Sequence, residues 1–117
     1  MTVAVAEQNK IAEITETDEI REFRKRNREL NETIYADKDI ESLISTLSGL
    51  CALNVCEGNE AETYYGILDF RDFVRGKYAE LSENKANKYE KELEKVLEEA
   101  NEELEFLKKN IISQTEI

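Results

Sequence analysis

Apolar residues recur every three or four positions over most of this 117-residue chain, in four stretches separated by polar breaks. That repeat is typical of amphipathic α-helices, whose apolar stripe faces a core. Proline is absent and glycine occurs only four times, so few residues oppose helix formation. The pattern predicts an all-α fold, an antiparallel bundle of three to four helices, because short connections place sequential helices side by side.

The first helix is expected to begin after Thr17, whose side chain can cap the helix N-terminus. Its apolar seam consists of Ile20, Phe23, Leu30 and Ile34, and Asn27 stands at the position that completes it. A lone asparagine in such a seam can set the register of paired helices, which makes Asn27 a candidate oligomer seam. Alternatively, Asn27 lies at the wet edge of the seam.

The second helix is expected over residues 38–56, with Asp37 or Asp39 as its cap. No charged residue occurs from position 43 to position 56, which predicts the central, most buried helix of the bundle. One side carries only small residues, so another helix backbone is expected to approach it closely: Ser45, Ser48, Gly49 and Ala52.

A turn at residues 57–60, with Gly58 as the left-handed residue after a helix, leads into the third helix. Its core-facing residues are Tyr64, Ile67, Leu68, Phe70, Val74, Tyr78 and Leu81. Tyr65 and Phe73 lie off the centre of this stripe. The aromatics of this helix are expected to belong mostly to the core; the alternative is that Tyr65 and Phe73 are exposed at a protein interface, where aromatic residues are enriched. Arg71, among apolar neighbours, is either an edge residue or a partner-facing anchor.

The last helix follows a weak break at residues 82–85 and keeps a helical apolar repeat from position 86 to position 111. With no proline at the break, the alternative is one continuous rod over the third and fourth helices. The domain organisation predicted is a loosely ordered N-terminal tail over residues 1–17, one helical domain over 18–112 and a frayed C-terminus over 113–117.

The charge balance narrows the classes of partner. The 27 acidic and 16 basic residues give a net charge of −11, which argues against binding to nucleic acid or to an anionic membrane. The chain shows neither a long apolar run nor the pattern of a signal peptide, so a cytoplasmic protein is expected. Cys51 and Cys56 point about 140° apart on a helix and are expected to be reduced core residues.

Two charged clusters are candidate binding surfaces. The acidic one recurs every four residues on the last helix and consists of Glu90, Glu94, Glu98 and Glu102, with Glu105 broadening it. It is either a solvated outer face or an imitation of nucleic-acid charge, as in acidic inhibitors from phages and mobile elements. The basic cluster on the first helix is expected to pair with acidic helices within the fold or across a dimer, direct nucleic-acid contact being the alternative: Arg21, Arg24, Lys25, Arg26 and Arg28.

No residue pattern predicts catalysis, a metal or a cofactor. Histidine is absent, which removes the commonest general base and metal ligand. The carboxylates Asp69 and Asp72 share one helix face but have no predicted pocket, so they are expected to be solvated. The sequence therefore predicts a non-enzymatic, self-associating protein that acts through protein–protein interaction. The alternative is an inhibitor that blocks a DNA- or RNA-binding protein by charge mimicry.

Overall fold

A computed structural model describes residues 16–53 and 60–115, and this part of the chain consists of helices without any strand. The helices are α1 (Asp18–Thr33), α2 (Ile40–Leu53), α3 (Glu60–Ala79) and α4 (Glu83–Thr115), with a 3-10 turn at Tyr35–Asp37 between α1 and α2. The all-α bundle is confirmed. Residues 1–15 of the predicted tail over 1–17 lie outside the described residues, as do the turn at Gly58 and the second cysteine, Cys56.

Two predicted helix caps are confirmed. The Thr17 hydroxyl accepts a hydrogen bond from the backbone N–H of Ile20 at 3.2 Å. The Asp39 carboxylate accepts one from the N–H of Ser42 at 2.9 Å, and this bond lowers the pKa of Asp39. Such bonds satisfy N–H groups that the first helical turn leaves without an intrahelical partner. At the other end of the chain, α4 continues to Thr115, beyond the predicted limit at residue 112.

The contacts between helices show their relative directions. Tyr89 of α4 reaches Glu41 near the start of α2, and Glu99 lies beside Ser48, about two turns later in α2 and about three turns later in α4. Later residues of α2 thus contact later residues of α4, so α2 and α4 run in the same direction. By the same reasoning α1 and α3 are parallel, since Ile20 packs on Tyr65 and Tyr35 stacks edge-on against Phe70. Sequential helices are therefore antiparallel.

The chain reverses direction between α3 and α4, so the alternative of one continuous rod is wrong. The Tyr78 hydroxyl donates to the backbone carbonyl of Ala86 at 2.6 Å and ties the two helix ends together. Burial, together with the negative charges of Glu90 and Glu94, raises the pKa of Tyr78. The hydroxyl thus keeps the proton that this bond requires.

The central helix is α3, which packs against all three others. The main core joins α2, α3 and α4 and contains the four most deeply buried large side chains, Leu43, Leu47, Ile67 and Val74. A smaller cluster around Ile20 and Tyr65 holds α1 against α3.

The prediction that α2 is central is therefore wrong. Most of its small-residue side faces water: Ser45, Gly49 and Ala52 are exposed, and nothing lies within 4 Å of where a Cβ of Gly49 would stand. Only Ser48 of this set is half-buried, beside Glu99 of α4. Small neutral residues tolerate solvent as well as a close neighbour, so the lack of charge did not indicate burial.

The apolar seam predicted for α1 is only half correct. Ile20 is buried, but Leu30 and Ile34 are 43% and 53% exposed, and Asn31 is buried instead. At about 100° per residue, Asn31 lies about 20° from the direction of Ile20 and Leu30 about 80° from it. The face that α3 covers is therefore rotated away from the predicted seam.

The approach of α1 to α3 at Gly66 gives a test of the packing. A Cβ at Gly66 would meet Phe23 at 3.9 Å and the amide of Asn27 at 4.0 Å, which is ordinary contact. Gly66→Ala should therefore raise the free energy of unfolding by about 0.5–1 kcal/mol, because alanine is the better helix former. Gly66→Phe should lower it by about 1–3 kcal/mol by overpacking, as measured by urea unfolding.

Gly76 is the matched control, since nothing lies within 4 Å of its Cβ position. Both Gly76→Ala and Gly76→Phe should be tolerated. Equal tolerance of phenylalanine at the two positions would contradict the docking of α1 at Gly66.

Candidate interaction surfaces

Arg24 and Asp69 join α1 to α3. The guanidinium donates from Nε to Asp69 Oδ2 at 2.9 Å and from Nη2 to Oδ1 at 2.8 Å, and it also contacts Glu16 at 3.2 Å. Its central carbon stands 4.4 Å from the ring centroid of Tyr65. The bonds to Asp69 raise the pKa of Arg24 further, so its charge is permanent. For Arg24, the expected pairing with another helix of the fold is confirmed.

The rest of the basic cluster has no role in the described fold. Arg21 pairs with Asp18 of its own helix at 2.8 Å, and both side chains are largely exposed. Lys25, Arg26 and Arg28 are exposed, and no described carboxylate lies within ion-pair distance of them. These three cations therefore face solvent.

The predicted aromatic interface is wrong for Tyr65, which is only 8% exposed because α1 covers that side of α3. Phe73 is half-buried against the main core, with its ring 5.9 Å from that of Phe70 and the ammonium of Lys77 5.7 Å away. Neither aromatic is free to act as the predicted anchor.

Arg71 and Asn27, two other candidates, bond or pack within the chain. Arg71 donates to the Asn101 side chain of α4 at 2.7 Å and to Asp72 at 3.0 and 3.2 Å, so it is an edge residue that links α3 to α4. Asn27 is half-buried and faces Gly66 of the same chain. The seam at Asn27 is thus an intramolecular contact with α3.

The acidic row, as we call Glu90, Glu94, Glu98, Glu102 and Glu105, is exposed along α4. Four of its members line a shallow open groove with Leu97 and Asn101. Within the described part of the chain, no cation lies within ion-pair distance of the row. Five glutamates therefore project from one helix, the first four at steps of about 6 Å.

Cys51 stands on the other side of α4, beside Glu99 and Glu103. Burial, aided by these two negative charges, raises the pKa of its thiol to about 11. Only the thiolate is a nucleophile or a metal ligand, so Cys51 is inert near neutral pH. It is a free thiol packed against the main core, as expected of a reduced core residue.

Three exposed apolar side chains were not predicted from the sequence. They are Leu30 of α1, Ile34 at the C-terminal cap of α1, and Phe106 of α4, which is 55% exposed. Leu30 and Ile34 are one helical turn apart, and Arg26 stands one turn before Leu30. We call these three residues the apolar flank of α1. The sequence does place Leu30 at a different angle around the helix from Ile20. That angle predicts the exposure of Leu30 only once it is known which face of α1 is covered.

The described residues contain no group of three or more side chains that could hold a metal ion. None of the described helices is long and apolar enough to cross a membrane. Searches for similarity returned no matching family model, curated protein or solved structure. The exposed surfaces of α1 and α4 are thus the features from which a function can be argued.

The link between Arg24 and Asp69 gives a second test. Asp69→Ala should lower the free energy of unfolding by about 1–2 kcal/mol, because it leaves a half-buried guanidinium without its two-pronged partner. Asp72→Ala is the matched control and should cost less, since the Asp72 side chain is 57% exposed.

A double-mutant cycle with Arg24→Met isolates the pair, because methionine keeps an apolar contact with Tyr65. We expect a coupling free energy of about 1 kcal/mol or more in urea unfolding. A coupling near zero would show that Asp69 and Arg24 do not hold α1 in place.

Proposed function

We propose that this protein acts by binding another protein, without catalysing a reaction, and that the apolar flank of α1 is its principal contact surface. The observation that carries the proposal is the exposure of Leu30 and Ile34, at 43% and 53%, one turn apart on the same side of a helix. A single exposed aliphatic residue is ordinary, whereas two adjacent ones form a patch that a partner can cover.

The chemistry of the patch fits a protein partner. Helices commonly bind partners by placing side chains one turn apart into an apolar groove. Arg26 beside Leu30 adds a charge at the rim, and arginine is enriched at interfaces. Covering the remaining exposed area of the two aliphatic side chains would contribute about 1–3 kcal/mol. That contribution is lost in the free protein, where both side chains face water.

Two further features support the proposal. The thiol of Cys51 is protonated near neutral pH, because burial raises its pKa to about 11, so it is not an activated nucleophile. We also propose a cytoplasmic location, which is supported by the free thiol, since reducing compartments keep cysteines unpaired.

A second candidate function is inhibition of a DNA- or RNA-binding protein by charge mimicry, as first suggested by the sequence. The observation that favours it is the acidic row, whose five exposed glutamates have no described cation within ion-pair distance. A regular row of negative charge on one helix is complementary to a basic groove that normally holds a phosphate backbone.

Affinity capture from a nuclease-treated lysate of the producing cells tests the proposed contact surface. The variant Leu30→Ala with Ile34→Ala should reduce the captured partner about tenfold or more, because the apolar contact contributes at least about 1.4 kcal/mol. Helicity by circular dichroism should remain unchanged, since both side chains lie outside the core. Ser45→Ala, an exposed neutral change on α2, is the control and should capture normally.

The same capture separates the two functions. Under mimicry, the variant Glu98→Lys with Glu102→Lys loses the partner, the partner is a nucleic-acid-binding protein, and moderate salt elutes it. If Leu30→Ala with Ile34→Ala captures the partner as well as the unaltered protein does, the apolar flank is not the contact surface.

A further inference from the structure

The exposed strip of α3 lies between α1 and α4. Asp69 of α3 bonds Arg24 of α1, whereas Arg71 of α3 bonds Asn101 of α4. Viewed down the axis of α3, where successive residues are about 100° apart, the Asp72 side chain points in a direction between those of Arg71 and Asp69. The Asp72 side chain is 57% exposed. Two helices therefore border one open strip, which also includes the exposed Arg75.

The border formed by α1 is positive. Around the α3 axis, Gly66 lies on the side of Asp69 that is away from the strip, and Phe23 of α1 packs there. The opposite side of α1, next to Arg24, therefore turns toward the strip. This side presents cations at spacings of four and three residues, which keep them on one helix face. We call these three cations the positive edge: Arg21, Lys25 and Arg28. Arg21 is paired with Asp18, and the exposed Glu32 lies on the same side one turn after Arg28, so Lys25 and Arg28 supply most of the excess positive charge.

The border formed by α4 is negative. Asn101 faces Arg71, and the helix residues next to Asn101 on the side of the strip are Glu94, Glu98 and Glu105 of the acidic row. Glu90 and Glu94 act electrostatically on Tyr78 of α3, which agrees with their position beside that helix. One face of the molecule thus has the positive edge on one side and the acidic row on the other.

We propose that this face binds a second copy of the same chain, with the positive edge of each copy on the acidic row of the other. A two-fold axis that lies in the plane of this face and runs along the α3 strip places the α1 border of each copy against the α4 border of the other. Opposite charges then meet at both, and the contact closes as a symmetric dimer. The exposed Asp72 and Arg75 in the middle of the strip also have opposite charges, so the centre of the face is self-complementary.

The charge of the whole protein makes this orientation selective. Two copies of net charge −11 repel in most orientations, and only the arrangement that joins the opposite borders offsets the repulsion. Each exposed ion pair contributes little, so the affinity should be modest and fall with ionic strength. This proposal is independent of the apolar flank, which lies on the opposite side of α1.

Sedimentation velocity at low salt tests the dimer with two charge-reversed variants. The first combines Lys25→Glu with Arg28→Glu, and the second combines Glu98→Lys with Glu102→Lys. The unaltered protein should approach twice 13.6 kDa as its concentration rises. Each variant alone should dimerise about tenfold or more weakly, because like charges then meet at both borders. An equimolar mixture of the two should recover the dimer, because both borders again join opposite charges.

Arg26→Glu and Glu92→Lys are the controls, since each reverses one charge of the same sign on an exposed residue away from this face. Both should dimerise like the unaltered protein. An unaltered protein that stays monomeric up to about 1 mM would overturn the proposal. So would a dimer that both reversals leave intact, or a mixture that fails to recover it.

The reversed variants also separate this proposal from the proposed functions. The variant with Lys25→Glu and Arg28→Glu keeps both the apolar flank and the acidic row. It should therefore still capture a partner from lysate when it no longer dimerises. Loss of capture in this variant would mean that binding the partner requires the dimer or the positive edge itself.

Discussion

The constraint on which the rest of the structure depends is that α3 has three helical neighbours. Ile67, Phe70 and Val74 enter the main core with α2 and α4, while Tyr65 is buried on the side that α1 covers. Polar side chains on this helix must therefore either bond a neighbour or occupy the narrow strip left open. Asp69 bonds α1 and Arg71 bonds α4, whereas Arg75 lies exposed in the strip.

The position of α1 on the outside of α3 explains where the proposed binding surfaces lie. One small apolar cluster and the link from Arg24 to Asp69 hold this helix, so only one of its sides is covered. The uncovered sides keep their apolar and cationic residues in water, and α4 likewise presents its acidic row. Charged residues that bond within the fold are structural, whereas the exposed ones without a described partner form the proposed binding surfaces.

The sequence predicted those features that depend on neighbours within a few residues. The four helices, the caps at Thr17 and Asp39 and the break before α4 all follow from bonds or periods spanning one or two turns. Features that depend on distant residues were missed. Arg24 and Asp69 are 45 positions apart, and the exposure of Leu30 depends on which face of α1 meets α3. The uncharged α2 suggested a central helix, whereas the broad spread of aromatics on α3 was the better indicator of several neighbours.

Native-state hydrogen exchange tests the central position of α3 most directly, because amides in the most enclosed helix exchange only when the whole domain opens. We expect the slowest exchange at residues 67–74 of α3. Exchange should be faster in α1, which can detach while the three-helix core stays folded. If α2 exchanged more slowly than α3, or if α1 were as protected as the core, the arrangement in which α1 docks on the outside of a central α3 would be contradicted.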